Sequence, residues 1–188
     1  MVWAAVLVWA PRRLAPNVGL RAGWTETAAL GLLGAVTLVL TGSRPGEALE
    51  IALLVQTAAA LAIFDLRWLL IPDLHSLALA VAGVFGPLSP GWSAAAIGGL
   101  VGAGLLAGVR WAAGRWLEEE AMGFGDVKLA AALGVLLGPQ ALLWTIALAA
   151  GLGAGLALAL RRRHGRLRVP LGAFLAPVGV GVLWTCTA

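Results

Sequence analysis

Asp126 lies in the run Met122-Gly123-Phe124-Gly125-Asp126-Val127-Lys128-Leu129, a carboxylate in a Gly-x-Gly-Asp turn that opens an apolar stretch. Asp65 closes another apolar stretch in Phe64-Asp65-Leu66-Arg67-Trp68-Leu69-Leu70-Ile71-Pro72-Asp73. Acidic side chains at membrane depth are costly and mark function by default. Two of them point to acid–base chemistry on a substrate in or beside a bilayer. If the fold joins them, like charges in a low-dielectric site do not both ionise cheaply. One carboxyl then keeps its proton near neutral pH while the other is ionised. Amide hydrolysis needs that split: the ionised member activates water and the protonated member polarises the peptide carbonyl. The titration belongs to the pair and not to either acid.

The neighbouring residues have plainer readings beside the chemical ones. Gly123 and Gly125 supply backbone angles closed to other residues and leave room for a substrate backbone beside Asp126. Asp126 at a helix start is also a helix cap. Asp73, after Pro72, reads as an N-cap for the next helix or as a group that orients Asp65 or meets substrate. Lys128 either steers Asp126 and a substrate carbonyl or snorkels to the membrane surface. Glu118-Glu119-Glu120 is a solvated loop or an attractor of a basic substrate segment.

His75 and His164 lack metal-ligand spacing, and the single Cys186 allows neither an intrachain disulfide nor a Cys-rich zinc cluster. The sequence therefore implies no metal and no cofactor. Ser76 and Cys186 have no positioned base in the sequence, so nucleophilic catalysis is weakly supported.

These residues sit in a very apolar chain. Hydrophobic residues make up 61% of the 188 and charged residues 12%, about half the charge of a soluble domain. The expected architecture is all-α: one polytopic membrane domain over residues 1–188, with about six to seven membrane helices. Apolar windows bounded by Gly, Pro or charge place helices at about Trp24–Leu40, Glu47–Phe64, Leu74–Leu88, Trp92–Ala113, Val127–Leu137, Gln140–Leu160 and Pro170–Thr185. Met1–Ala10 is too short to span a bilayer and reads as a half-helix or interfacial segment. The pairs Gly98/Gly102, Gly104/Gly108 and Gly151/Gly155 have the small-xxx-small spacing of close helix packing. Seven of the tryptophans fall near helix ends, as interfacial anchors do.

Charge placement tests this layout. With the loop Arg161–Arg168 in the cytoplasm, counting back through six helices puts every Lys and Arg except Arg44 on the cytoplasmic side. The net charge of +4 then reflects orientation and not nucleic-acid binding. The same count brings Asp65, Asp73 and Asp126 to the cytoplasmic face. No feature of the sequence sets an oligomeric state.

Three segments resemble one family. The run Asp65–Asp73 resembles the first signature of the type IV prepilin peptidases. Gly123–Gly134 resembles their second, the Gly-x-Gly-Asp aspartic protease motif. Val169-Pro170-Leu171-Gly172-Ala173-Phe174-Leu175-Ala176-Pro177 is similar to a late family stretch. The likeness runs from about Ala60 to Val180, and residues 1–23 match poorly. It implies a bacterial inner-membrane aspartic endopeptidase with Asp65 and Asp126 as the catalytic pair. It also implies prepilin or pseudopilin substrates, cut just after a Gly at the cytoplasmic face, ahead of an apolar helix. Full-length members often carry a Cys-x-x-Cys loop linked to N-methylation, and this chain has no cysteine there. It resembles the short, peptidase-only members, without methyltransferase activity. Two other classes stay open: a proton-coupled transporter using the acids as a relay, and a non-catalytic pilus or secretion assembly factor on the same scaffold.

Overall fold

The computed structural model describes residues 32–33, 36–37, 45–117, 122–164 and 171–187. The segment Met1–Ala10, most of the Trp24–Leu40 window and the run Glu118–Glu120 lie outside the described residues. Five helices account for the described chain: α1 (Pro45–Trp68), α2 (Asp73–Phe85), α3 (Trp92–Leu117), α4 (Phe124–His164) and α5 (Gly172–Thr187). Among the described residues there is no strand.

The windows read from the sequence reappear with shifted ends. Asp65 does not end its helix: α1 continues a further turn, to Trp68. The windows 127–137 and 140–160 form one continuous element broken at Gly138, whose φ of 74° and ψ of 173° are non-helical. That left-handed φ favours glycine, and Pro139 next to it lacks the N–H a straight helix would use. Three helices are long and apolar enough to cross a membrane, over Gly46–Trp68, Trp92–Arg115 and Phe124–Ala159, while α2 and α5 are shorter apolar helices. Large apolar side chains such as Leu100, Trp144 and Leu158 face outward, the pattern expected where the surrounding solvent is lipid.

Helix α4 is the centre of the bundle. It packs against α3, α5 and α2, and α5 in turn packs against α1. Leu129, Leu133, Leu136 and Leu142 of α4 are fully buried among Leu61, Leu79 and Leu175 from three other helices. In a membrane, close van der Waals contact holds helices together where the hydrophobic effect cannot. Gly98 and Gly134 supply that contact between α3 and α4. A β-carbon on either would overlap the carbonyl oxygen of the other. Gly102 meets Ala130 in the same way. The pairs Gly104/Gly108 and Gly151/Gly155 do not: a β-carbon at those positions would meet nothing within 4 Å among the described residues. Spacing alone could not tell an inward stripe from an outward one. We expect Gly98→Leu to destabilise the detergent-solubilised protein by about 1–3 kcal/mol, seen as a fall of several degrees in its thermal midpoint. Gly104→Leu, on the open side of the same helix, should leave the midpoint nearly unchanged.

A second acidic anchor was not foreseen. Glu50 is buried near the start of α1, and its Oε2 accepts a 2.8 Å bond from the Leu88 N–H. It ties the turn between α2 and α3 to α1, at the end of the bundle away from Asp65.

Candidate active site

Three chain segments meet at the opposite end. Asp65 lies in the last turn of α1, Asp126 in the first turn of α4, and Gly172 opens α5. Among the described residues the backbones of α1 and α4 do not approach each other closely. The start of α5 sits between them, and the two carboxylates converge on it from either side.

Asp65 is 5% exposed. Its Oδ2 accepts a 2.7 Å bond from the Ala173 N–H, one of the free amides at the N-terminus of α5. The Gly172 amide lies near both carboxylates. A β-carbon on Gly172 would stand 2.9 Å from Asp65 Oδ2 and 3.2 Å from Asp126 Oδ1. The two oxygens are therefore no farther apart than the sum of those distances. A bare α-carbon is what lets them approach. Asp126 is half-buried and lies beside the exposed Gly123, so the pair is reached from the Gly-x-Gly side.

The link after α1 builds the floor of this site. Leu69 adopts a positive φ of 50°, sparsely populated for a leucine, and stops the helix with a 3.0 Å bond from its N–H to the Asp65 carbonyl. The chain then turns so that Ile71 fits between two glycines. A β-carbon on Gly125 would be 3.1 Å from Ile71 Cβ, and one on Gly172 would be 2.7 Å from Ile71 Cδ1.

This revises two expectations. Neither Gly123 nor Gly125 is among the positive-φ glycines, which among the described residues are Gly91 and Gly138. Gly125 is small because Ile71 presses on it. Gly123 is small in an open position, where a β-carbon would lie 3.9 Å from Asp126 Oδ2. Asp126 is also no N-cap: it is the third residue of α4, with its N–H bonded to the Gly123 carbonyl at 3.3 Å.

Asp73 and Lys128 are brought together but not to the pair. Asp73 is the first residue of α2 and forms no capping bond; Pro72 holds the cap position. Its Oδ1 instead pairs with Lys128 Nζ at 2.9 Å, and both side chains are exposed. Lys128 also sits 5.2 Å above the Phe124 ring. Their ion pair stands at one end of an apolar groove of about 840 Å³ between α2, α3 and α4, lined by Leu74, Leu77, Leu100 and Val135. His75 is inside α2 and fully buried, edge-on to Phe64. Among the described residues no three His, Cys, Asp or Glu side chains come together as a metal site.

Sequence reasoning missed Gly172 and Ile71 as parts of the site. The signal for both was present: each lies inside a stretch that resembles the family. Nothing in the spacing said that α5 would pass between the acids.

The profile of the type IV leader peptidase family matches residues 52–158. The chain belongs to that family. It is 37% identical over 166 residues to a prepilin leader peptidase/N-methyltransferase of Aeromonas salmonicida, covering 84% of this chain and 55% of the relative. The protein of the same name from Burkholderia pseudomallei is 35% identical over 163 residues, covering 83% of this chain and 52% of the relative. A type 4 prepilin-like proteins leader peptide-processing enzyme of Escherichia coli O78:H11 is 32% identical over 151 residues, covering 77% and 55%. The chain thus spans about half the length of these relatives. No solved structure matches. The matched family segment contains Asp65, Ile71 and Asp126 and ends before Gly172, whose placement comes from the fold.

Proposed function

We propose that this chain is a membrane aspartic endopeptidase that removes the basic leader of prepilin or pseudopilin proteins. The observation that carries this reading is the convergence of Asp65 and Asp126 on the bare α-carbon of Gly172. Membership of the leader peptidase family supports the substrate class. Only the peptidase half of the relatives' names is proposed for this chain.

The chemistry follows from two like charges in a confined site. One proton is shared across the pair. The ionised carboxylate removes a proton from a water molecule, whose oxygen attacks the scissile carbonyl carbon. The protonated carboxyl donates to the carbonyl oxygen as its π bond opens. The tetrahedral centre then collapses: the C–N bond breaks, the leaving nitrogen takes the proton that the base had gained, and one hydroxyl of the centre returns its proton to the second carboxylate as the C=O bond re-forms. Ala173 N–H holds Asp65 in place throughout, so its position does not depend on substrate.

Orientation has its own support. Asp65, Asp73 and Asp126 stand at one end of the bundle, with Arg67, Arg115 and Lys128 at the same level. By the positive-inside rule that end faces the cytoplasm of the bacterial inner membrane. Among the described residues three long helices and the shorter α2 and α5 are apolar, and the count of six to seven spans is proposed on the sequence windows alone. The apolar groove starts at this same end, which suits an apolar segment following the cut.

Co-expression with a protein bearing a short basic leader, a Gly and an apolar helix tests the reading. N-terminal sequencing should show a product beginning just after the Gly. An uncut product in cells where the chain is inserted would refute it. The Asp73–Lys128 pair is proposed to support the site from its rim, since both groups are solvent-exposed. Exposed pairs contribute little to stability. Lys128→Gln is therefore expected to lower the cleavage rate by less than about tenfold and to leave the thermal midpoint unchanged.

A further inference from the structure

The Gly-x-Gly turn that delivers Asp126 is gripped from two sides. On one side Ile71 presses on Gly125. On the other, Gly123 offers no side chain to hold: among the described residues, a β-carbon there would meet only Asp126 Oδ2 and the Gly125 nitrogen, each at 3.9 Å. The grip falls one residue earlier. An Nη of Arg110, half-buried on α3, donates to the carbonyl oxygen of Met122. That carbonyl lies ahead of the first bond of the turn, from the Asp126 N–H to the Gly123 carbonyl at 3.3 Å. It is a backbone acceptor that needs a donor from elsewhere, and a guanidinium supplies a charge-assisted one.

The Met122 side chain packs on the core, which places the residue but not the peptide group after it. A peptide plane still turns about the two soft dihedrals that flank it, and the residue that follows is a glycine, which restricts them least. The bond from Arg110 fixes the tilt of that plane. We infer that Arg110 is a positioning residue for the proposed reaction, locking the Met122–Gly123 peptide so that Asp126 stays aimed at Gly172. This role presupposes the peptidase reading, and it uses Arg110 as it is already bonded. Arg110 has a further interaction besides Met122, and the connection from α3 to α4 carries Glu118, Glu119 and Glu120. A planar fork of donors serves a carbonyl and a second acceptor together. The carbonyl and the acids are therefore separable demands on one side chain.

The full chain in micelles is given a protein with a short basic leader, a Gly and an apolar helix, and kcat and KM are measured separately. Backbone hydrogen exchange is followed at residues 123–126. Arg110→Met, which keeps the stem and removes the donors, should lower kcat by about 10–10²-fold. KM should change by less than about twofold, and the thermal midpoint should stay nearly unchanged. Exchange at residues 123–126 should quicken while the rest of α4 keeps its protection. Arg110→Lys, long and still a donor, should recover part of kcat. Arg115→Gln, an exposed charge five residues on, should keep the wild-type kcat. Replacing Glu118, Glu119 and Glu120 together by Gln should leave exchange at the turn as in the wild type. Should Arg110→Met fail to insert, Arg110→Gln, too short to span the gap, takes its place with the same expected losses. Unchanged kcat and exchange in these Arg110 variants overturns the assignment. So does a change in KM alone, which assigns Arg110 to substrate binding, or quickened exchange in the glutamine triple variant, which assigns the grip to the acids. A wild type that cleaves nothing refutes the peptidase reading instead, and exchange at the turn still shows whether Arg110 holds it.

Discussion

Asp65→Asn and Asp126→Asn are each expected to lower the rate of leader cleavage by about 10²–10⁴-fold, with the double variant no slower than either single one. Groups that work as a unit lose nearly everything at the first deletion. The asparagine variants are suitable because they spare the fold. Asp65→Asn keeps a side-chain oxygen to accept the 2.7 Å bond from Ala173 N–H, so α5 keeps its anchor. Asp126→Asn keeps the shape of the group facing Gly172. The check is a cleavage assay on membranes in which each variant is shown to be inserted at wild-type level. A transporter built on the same acids would lose proton-coupled uptake in vesicles and would show no cleavage to lose. An assembly factor would tolerate both substitutions.

The second large effect is expected at Gly172. Gly172→Ala places a methyl group 2.9 Å from Asp65 Oδ2 and 3.2 Å from Asp126 Oδ1, both at or inside ordinary contact. It also presses on Ile71 Cδ1 at 2.7 Å, the free end of a side chain that can rotate away. The fold therefore has an escape and the acid pair does not. A displacement on the order of 1 Å between reacting groups costs about 10²-fold in rate, and that is the loss expected here. Gly181→Ala is the control. It lies on the same helix with no described residue within 4 Å of the added carbon, and cleavage should continue at the wild-type rate. Equal activity of the two variants would show that the gap at Gly172 has no part in catalysis.

The sequence was most readable where local chemistry decides structure. Apolar windows bounded by glycine, proline and charge located α1 to α5, because burial of an apolar run and the breaking power of Gly138-Pro139 are local properties. Asp65 and Asp126 stood out because a carboxylate in an apolar run needs a reason. What was misread depends on which element lies across the gap. Gly125 looked like a turn glycine and is a packing glycine, since Ile71 comes from a different segment. Asp73 looked like a cap and is an ion-pair partner, since Lys128 is one helix turn beyond the start of α4. Gly151 and Gly155 looked like an interface and meet no other helix among the described residues. Glu50 had no signature at all, because its partner is a backbone N–H in a turn far along the chain. Gly172 belongs to the same class. Its motif was visible, but its task exists only once α5 is laid between α1 and α4.

The arrangement also explains why a leucine is held in a strained conformation beside the acids. Leu69 at φ 50° ends α1 within a turn of Asp65 and throws Ile71 back under the site. A longer, relaxed link would carry Ile71 away from Gly125 and Gly172. Local strain of about 1–3 kcal/mol is tolerable where surrounding packing over-determines the backbone, and the buried Phe64 and His75 on either side of the link supply that packing.

The account rests on two acids flanking one tetrahedral carbon, and a binding measurement addresses that directly. A leader peptide is made with a secondary hydroxyl in place of the scissile carbonyl, and a matched peptide with a methylene there. The wild-type protein in micelles should bind the hydroxyl peptide at least about 10²-fold more tightly, and the Asp65→Asn and Asp126→Asn variants should bind both peptides alike. Wild-type protein that does not distinguish the two peptides, or variants that still do, would contradict it.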